Sequence, residues 1–575
     1  MSPSTQDGFS VLALDIGTVH TRALLFEVVE ESYRFIASSV TQTTLSEPVN
    51  DIVFGILDAI HELQGITGHI FFDSMNNLVV PSQVDGIGVD RLYVAYSICK
   101  PLRIATFGLI EDVSQLSINK LAATIPGRIV ESIGLNDPRT VQQQIDNVLA
   151  AQPELVLFAG GTDRGATRSV KKMANLISAV IQLMPQNARP PVLFAGNRAV
   201  SREVKEILSA YTRVNETVNI RPDMDHEDVT LASDDLARIY TDIQIGKIES
   251  SQQISTATND TPCPASTAIG RIASFLSKVN DPEKGVLAID LGSASTIAAS
   301  AQAGELSVNV FPFGSGFGFE RFLRDTRFNE ISQWFSSNID PEEARNQLWQ
   351  KTLFPASIPM TFDALEVEQA AYRQMLRTLM RELSARGAIC PNGYETIICS
   401  GAALTKASSA GQLLLMLLDG LQPHGISNII LDSYSILSTL GVISRTLPIL
   451  PIQVLESSAF ANLATVVSVD SNLRVGSPVL KAVIEYKNGK STEITVKQGS
   501  LVVVPIRTGD TAQLELQVNR NARVDANELD DNRYKINGGL CGLVIDARGR
   551  PLRLPSNASV RSELFARWKA TLKSK

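Results

Sequence analysis

Closely spaced cysteines and histidines are absent from this sequence. Its 575 residues include five histidines and five cysteines. The cysteines are scattered along the chain, at Cys99, Cys263, Cys390, Cys399 and Cys541. Because there is no C-x-x-C pair, the sequence predicts neither a zinc site nor a disulfide framework. We interpret the five cysteines as free, buried thiols.

An excess of basic residues and long apolar runs are also absent. The formal net charge is −8, which argues against nucleic acid as the main partner. No segment approaches the roughly 20 consecutive apolar residues of a membrane span, and the first nine residues lack the features of a secretion signal. The hydrophobic content of 44% is typical of a globular protein, and the length predicts three or four domains. We therefore expect a cytoplasmic protein.

A short turn between two apolar segments is the first functional signal. Apolar residues 11–14 run into Asp15, the chain turns at Gly17, and apolar residues resume after Thr21, which predicts strand, turn, strand. Glycine lets the backbone approach a ligand closely, and the turn's N–H groups and the hydroxyls of Thr18 and Thr21 suit phosphate oxygens. Asp15, at the end of the buried strand, is placed to hold a hydrated Mg²⁺ ion.

The same pattern recurs 275 positions later, in residues 285–300. Asp290, Gly292 and Ser293 take the places of the Asp, Gly and Thr of the first turn, and Ser295 is a further candidate for binding nucleotide. Two such hairpins are expected to hold one phosphate chain from opposite sides. Hydrolysis of that chain needs an oriented water molecule, and the two aspartates are the groups available to hold metal and orient it.

A third element lies in residues 395–404, where a short apolar strand runs into a turn of small residues, Ser400, Gly401 and Ala402. Such a turn is expected to pass close beneath a purine ring. The three elements, in this order, resemble the actin, sugar kinase and heat-shock-chaperone ATPase superfamily. The resemblance implies two duplicated α/β lobes with ATP and Mg²⁺ in the cleft between them. One departure is that Ala402 stands where the superfamily usually has a second glycine.

Five motifs narrow the resemblance to the glutamate mutase-associated MutL family, which shares only a name with the DNA mismatch-repair protein. The motifs are Gly88-Val-Asp-Arg-Leu, Leu102-Arg-Ile-Ala-Thr-Phe-Gly-Leu-Ile, Ala159-Gly-Gly-Thr-Asp, Phe194-Ala-Gly-Asn-Arg and Ile289-Asp-Leu-Gly-Ser. The resemblance covers roughly residues 10–465. It implies a chaperone-like ATPase that protects or reactivates an adenosylcobalamin-dependent mutase.

The fold class we predict is α/β, with duplicated actin-like ATPase lobes, an inserted α/β layer domain and a C-terminal all-β module. Lobe I with the first phosphate hairpin spans residues 1–85, and strands alternating with helices predict the inserted domain over 86–250. Lobe II, with the second hairpin and the adenosine turn, spans 264–450 after a polar linker. Two-residue periodicity predicts a β-barrel or sandwich over 451–555, and an amphipathic helix follows over 556–575.

Three features allow two interpretations each. The turn Gly160–Gly165 is either an anion site or a tight strand-to-helix turn. The tract containing Gly314, Gly316 and Gly318 is interpreted as a flexible turn, with a cleft wall as the alternative. The C-terminal helix either docks on protein or lies on an anionic membrane as a peripheral contact. Its apolar side consists of Val560, Leu564, Phe565, Trp568 and Leu572.

Four functions follow from these patterns. The first is an ATP-binding, slowly hydrolysing accessory or chaperone-like protein that acts on a protein partner, by resemblance a cobalamin-dependent mutase. The second is an actin-like scaffold that forms filaments, and hence oligomers, or is tethered to a membrane. The third is a small-molecule kinase, for which Asp163 is the candidate base. The fourth is an interaction scaffold without nucleotide, for which Ala402 is the main argument.

Overall fold

The computed structural model describes residues 9–45, 47–98, 101–245, 258–335, 339–524 and 533–573. Within them the fold is mixed α/β, which confirms the predicted class at this level. Cys99 and most of the polar linker before residue 263 lie outside the described residues.

The strands of the described part belong to five sheets. In chain order they are β1 (Val11–Ile16), β2 (His20–Val29), β3 (Ser32–Gln42), β4 (Arg91–Tyr96), β5 (Leu102–Phe107), β6 (Gly127–Ile133), β7 (Leu155–Phe158), β8 (Val192–Phe194), β9 (Val214–Glu216), β10 (Cys263–Pro264), β11 (Gly285–Leu291), β12 (Thr296–Gln302), β13 (Glu305–Phe311), β14 (Tyr394–Ser400), β15 (Gly425–Leu431), β16 (Ala461–Ser468), β17 (Asp470–Ser471), β18 (Pro478–Tyr486), β19 (Ser491–Lys497), β20 (Leu501–Val504), β21 (Thr511–Val518), β22 (Ala522–Arg523), β23 (Arg533–Asn537) and β24 (Leu543–Asp546).

The α-helices of the same residues cover the faces of these sheets. They are α1 (Ile52–Thr67), α2 (Leu116–Ala122), α3 (Val141–Ala151), α4 (Arg168–Leu183), α5 (Ser201–Leu208), α6 (Thr230–Ile245), α7 (Ala265–Val279), α8 (Phe319–Asp325), α9 (Phe328–Ser332), α10 (Pro341–Leu353), α11 (Phe362–Ala385), α12 (Ala402–Thr405), α13 (Ala410–Leu421), α14 (Leu437–Ile443), α15 (Ile449–Leu455) and α16 (Ala558–Lys573).

Two of the sheets share an arrangement. The first has the order β10-β4-β1-β2-β3, and the second has the order β13-β12-β11-β14-β15-β16-β24-β20. In each, three antiparallel strands follow one another, and the first of the three also pairs in parallel with a later strand. β1 and β11 are therefore central strands, and both are apolar and buried nearly throughout because elements cover both faces. Their carboxyl ends carry Asp15 and Asp290.

A third sheet, with the order β6-β5-β7-β8-β9, lies between these two in the sequence. All of its strands run parallel, as their alternation with helices predicts. β4 is not part of it. That strand pairs with β1 in the first sheet, although the sequence assigned residues 86–100 to the inserted domain.

The turn Gly160–Gly165 connects β7 to α4 and is tightly packed. A Cβ atom on Gly160 would lie 2.5 Å from Leu109, and one on Gly161 would lie 2.8 Å from the Ala166 carbonyl oxygen. The Asp163 N–H donates to the Pro222 carbonyl, and the Asn219 side chain donates to the Gly161 carbonyl at 3.1 Å. These contacts are those of a tight strand-to-helix turn.

The region after residue 451 is shared between two sheets. β18, β19, β21 and β23 form an antiparallel sheet of their own, and β17 pairs with β22. β16, β24 and β20, however, extend the second sheet. The two sheets also share a buried core, which contains Val467, Ile484 and Ile545. The predicted domain boundary at 451 stays a prediction, and three strands beyond it belong to the sheet that carries Asp290.

The C-terminal helix α16 docks on the protein's own core. Phe565, Trp568 and Leu572 are buried, and Phe565 stacks on Trp334 with ring centroids 6.3 Å apart. Lys569 forms an ion pair of 3.1 Å with Glu366. Three of the five side chains on the apolar side are therefore packed on protein and Leu564 is half-buried, whereas Val560 is 46% exposed, so protein occupies most of the surface that the membrane-contact interpretation needs. No helix in the described ranges has the length and hydropathy to cross a bilayer.

A buried ionic network joins this C-terminal region to the second sheet's helices. Asp419 on α13 accepts from Arg373 of α11 at 2.9 Å and from Arg548 at 2.7 Å. Arg548 and Arg550 each lie 2.9 Å from Asp546. All of these side chains are at most 6% exposed, so every charge in the network depends on its partners for stabilisation.

Replacing Asp419 with alanine is expected to lower the free energy of unfolding by about 3–5 kcal/mol, because it leaves buried arginines without compensation. Urea denaturation followed by tryptophan fluorescence measures the loss. The matched control is Glu206→Ala, whose partner Arg202 is 90% exposed, and it should leave the transition nearly unchanged. Equal shifts for the two variants would contradict the role given to the network.

Candidate functional site

The first turn lies between β1 and β2 and is closed by its own backbone. The Gly17 N–H donates to the His20 carbonyl at 2.9 Å, and a Cβ on Gly17 would lie 2.9 Å from that same oxygen. The position therefore favours glycine. Behind the turn, the Thr43 hydroxyl donates to the Gly17 carbonyl at 2.7 Å and contacts the Thr21 hydroxyl at 2.9 Å. Thr21 is fully buried, so it supports the turn from behind instead of lining its open side.

The second turn lies between β11 and β12 and is held from outside by the glycine arch, our name for residues 314–318. The N–H groups of Gly316 and Gly318 each donate to the Ser293 carbonyl at 2.9 Å. A Cβ on Gly316 would lie only 2.1 Å from the Ser293 Oγ. The arch is thus a packed support, and Ser315 within it lines the cleft described below. The flexible-turn interpretation of this tract is wrong.

The third turn follows β14 and packs against the second. Gly401 has a φ of +106°, and a Cβ there would lie 2.4 Å from the Leu291 carbonyl oxygen, so only glycine fits. Ala402 is the first residue of helix α12 and does not have a positive φ, so its methyl group is compatible with the turn. The Ser400 hydroxyl donates to Asp432 at 3.1 Å.

The three turns border one cleft of about 700 Å³, including its opening to solvent. Most of the residues predicted for the site line it: Asp15, Gly17, Thr18, Asp290, Gly292, Ser293, Ser400, Gly401 and Ala402. Thr21 and Ser295 are not among the lining residues. Asp163 is also absent from the lining, and its carboxylate accepts from the Arg198 N–H and from Asn219 in the inserted domain.

Strand register makes the two aspartates unequal. Arg22 lies opposite Asp15, and the two form an ion pair of 3.0 Å. Ile297 lies opposite Asp290, so that carboxylate has no cation at the equivalent place. No hydrogen-bond donor to the Asp290 carboxylate is found among the described side chains and backbone groups. Asp290 therefore faces the cleft without an ion pair or a hydrogen-bond donor of its own, and the charge of Arg22 offsets only part of the rise in its pKa.

The pKa values of the two aspartates follow from this difference in their neighbours. Burial raises the pKa of Asp15, and the neighbouring Arg22 offsets part of the rise. For Asp290, burial and then the charge of Asp15 raise the pKa to about 7. Burial also raises the pKa of Asp432, which accepts from the backbone N–H groups of Ile436 and Leu437 at 2.9 Å. Both carboxylates line the cleft, and the negative charge of Asp15 favours the protonated form of Asp290.

Two carboxylates from opposing turns fit a Mg²⁺ ion that shares its coordination with phosphate oxygens and water. Among the residues that the structure describes, no group of three or more His, Cys, Asp or Glu side chains is arranged to hold a metal. A cage made of protein ligands alone is therefore not seen there. The observation that favours a cation in this cleft is Asp290, which lines it without an ion-pair partner of its own.

Several cleft residues were missed by reasoning from the sequence. Arg22, Ser97 and Ser438 line the cleft, and the Ser438 hydroxyl donates to the Asp15 carboxylate at 3.4 Å. The position of Arg22 could have been predicted from the sequence, because side chains alternate along a strand. Alternation places Arg22 on the same face as His20 and places Thr21 on the opposite face. Ser97 and Ser438 come from distant segments and carried no motif.

A family model described as MutL protein matches residues 11–459. No curated protein matches the chain. Similar solved structures include a diol dehydratase-reactivating factor in nucleotide-free form, with 10% identity, coverage of 76% of this chain and 99% of the other, and a TM-score of 0.30. Others are a glycerol dehydratase reactivase (11% identity, 72% and 95% coverage, TM-score 0.28) and the ethanolamine utilization protein EutJ from Carboxydothermus hydrogenoformans (9%, 77% and 90%, 0.25). At these TM-scores the likenesses support no conclusion.

Replacing Asp290 with asparagine is expected to raise the thermal unfolding midpoint of the ligand-free protein at pH 8 by several degrees. Between about pH 4 and pH 7 the folded state holds a proton on Asp290 that the unfolded chain has lost, so native stability falls as pH rises through this window. The gain should therefore be smaller at pH 5 and full above pH 7. Differential scanning calorimetry measures it, with the exposed Asp510→Asn as control. If the rise in the unfolding midpoint were the same at pH 5 and pH 8, the raised pKa of Asp290 would be contradicted.

Proposed function

The chain belongs to the MutL family, the glutamate mutase-associated proteins, and from that premise we propose that it binds Mg-ATP in the cleft between two actin-like lobes. We propose further that it hydrolyses ATP slowly and acts as a chaperone-like accessory factor. Its partner in this proposal is an adenosylcobalamin-dependent mutase. The family match supports the partner, and the shared strand order of the first two sheets supports the lobes.

The observation that supports the nucleotide proposal is that Asp290 lines the cleft with Asp15 but has no ion-pair partner of its own. A Mg²⁺ ion between a phosphate chain and these carboxylates would supply positive charge in addition to that of Arg22. The turns at Gly17 and Gly292 offer close backbone approach to an anion, and Arg22 is a cation that lines the same cleft. In hydrolysis the residues of this chain would bind and orient, with Asp15 and Asp290 positioning the attacking water.

Coupling to a partner is supported by contacts that cross from one sheet to the other at the cleft. Ser438 is on α14, which follows β15 of the second sheet along the chain and packs against β1 and β4 of the first sheet, and its hydroxyl donates to Asp15. α14 packs closely on α7, as Gly441 shows: a Cβ at this position would lie 1.9 Å from the Ala268 carbonyl oxygen. A ligand in the cleft would change the surroundings of Asp15 and, through the hydrogen bond to Ser438, the position of α14. The nucleotide state can therefore bias the surfaces that meet a partner.

The other functions receive less support from the geometry. The kinase hypothesis needs Asp163 in the cleft, and Asp163 serves the turn in the inserted domain instead. The membrane-tethered scaffold needs the apolar side of α16, most of which is packed on protein. The nucleotide-free scaffold relied on Ala402, whose methyl group the third turn accommodates. Filament formation has no supporting contact in a single chain.

Isothermal titration calorimetry with Mg-ATP tests the proposal. The intact protein is expected to bind, and Asp15→Ala should weaken binding roughly tenfold or more, a change of about 1.4 kcal/mol or more. Affinity should rise from pH 6 to pH 8, because Asp290, whose pKa is about 7, must lose its proton to face a cation.

Asp163→Ala is the matched control, since its carboxylate lies outside the cleft, and its affinity should equal that of the intact protein. If the intact protein bound no Mg-ATP, the nucleotide account would fail and an interaction scaffold would remain. Equal binding by the Asp15 and Asp163 variants would remove the metal role of Asp15.

A further inference from the structure

A loop of exposed apolar side chains connects α10 to α11. We call residues 353–362 the apolar loop. Its exposed side chains are Leu353, Phe354, Ile358, Met360 and Phe362, and the last two are each 91% exposed. Single exposed apolar residues are ordinary on a protein surface, but a contiguous group of this kind marks an interaction site.

The apolar loop is anchored at its base. The Lys351 side chain is only 7% exposed, donates to the Ser357 carbonyl, and forms an ion pair of 3.3 Å with Glu368. At the far end of the loop, the Thr361 hydroxyl accepts from the Ala364 N–H at 3.1 Å and caps α11. Both ends and the middle of the loop are therefore held by hydrogen bonds, and its apolar side chains point outward from a built framework.

The apolar loop also reaches the cleft. Pro355 lines the cleft beside Ser293, and a Cβ on Gly316 would lie 3.0 Å from the Pro355 Cβ. Gly316 in turn donates its N–H to the Ser293 carbonyl. A continuous series of contacts thus runs from the second turn through the glycine arch to the apolar loop. Movement of that turn on binding a ligand would be passed to the exposed side chains.

Charge decides which occupant suits the apolar loop. Residues 352–361 contain no charged side chain, and Lys351, the cation next to them in sequence, is buried in its ion pair. An anionic bilayer is held through unpaired lysines and arginines, which these ten residues do not supply. A second copy of this chain carries the same net charge of −8, which disfavours self-association. An uncharged, apolar segment of a different protein matches the loop.

We propose that the apolar loop is the surface through which this chain holds its protein partner, by taking up an uncharged apolar segment of that partner, and that occupancy of the cleft sets the strength of this contact. The inference rests on the proposed function, since it names the surface that the accessory role requires. It adds a site outside the cleft whose loss leaves nucleotide binding intact.

The test measures binding of the full chain to a purified adenosylcobalamin-dependent glutamate mutase by biolayer interferometry, in Mg-ADP and in Mg-ATP. Met360→Lys and Ile358→Lys should each weaken binding about tenfold or more, because a charge is placed in an apolar contact. Met75→Lys is the matched control, since Met75 is 82% exposed and far from the loop in sequence, and it should bind like the intact protein. All variants should bind Mg-ATP with unchanged affinity in calorimetry.

The following results would overturn the proposal. If Met360→Lys binds the mutase as tightly as the intact chain, the apolar loop is not the docking surface, while the proposed function stands. If the intact chain binds Mg-ATP but not the mutase, the partner part of the proposed function fails and the inference fails with it. Loss of self-association in sedimentation velocity, or of pelleting with phosphatidylserine vesicles, caused by Met360→Lys would show a second copy or a membrane as the occupant and overturn the proposal.

Discussion

Two acidic strand ends are buried beside one cleft, and the arrangement of the site depends on this constraint. Asp15 and Asp290 end the central strands of two separate sheets, and the packing that buries those strands brings both side chains to one cleft. Arg22 lies opposite Asp15 and forms an ion pair with it, whereas Ile297 lies opposite Asp290, so Asp290 has no ion-pair partner of its own. A protein optimised only for stability would have no reason to keep this arrangement, since the raised pKa of Asp290 is a measure of its cost.

The sequence allowed good prediction wherever the signal was local. Both hairpins occur where an apolar run meets Asp-x-Gly, and parallel strands alternate with helices between them, as the sequence pattern predicts. It was harder to predict which strands pair with one another in the same sheet. β4 and β16 read as strands, but β4 pairs with β1 and β16 with β15, and no feature within a strand specifies its neighbour. Pairing depends on the way distant segments bury their faces, which alternation alone does not encode.

In the site too, the residues set by local patterns could be predicted, and those brought together from distant segments could not. Nine of the predicted cleft residues are brought together, because a glycine turn at the end of a buried strand fixes its own geometry. Thr21 was assigned by its nearness to Gly17 in the sequence, whereas strand alternation turns it into the core. The partners that tune the aspartates, Asp432 and Ser438, come from a segment more than 140 residues beyond Asp290, and only the fold brings them there.

The path of the chain out of the first sheet and back has a mechanical meaning. β4 ends at Tyr96, Ser97 lines the cleft, and β5 starts the inserted sheet at Leu102. On the return, Pro264 pairs with Tyr96, so the chain leaves and re-enters the first sheet at neighbouring positions beside the cleft. The inserted sheet is also packed against both other sheets, because Leu14 of β1 and Leu157 of β7 belong to one buried core, and the Val310 N–H of β13 donates to the Ala123 carbonyl at 2.9 Å. Any change in the angle between the two sheets that border the cleft must therefore repack this shared core, so the inserted sheet limits how far they can move.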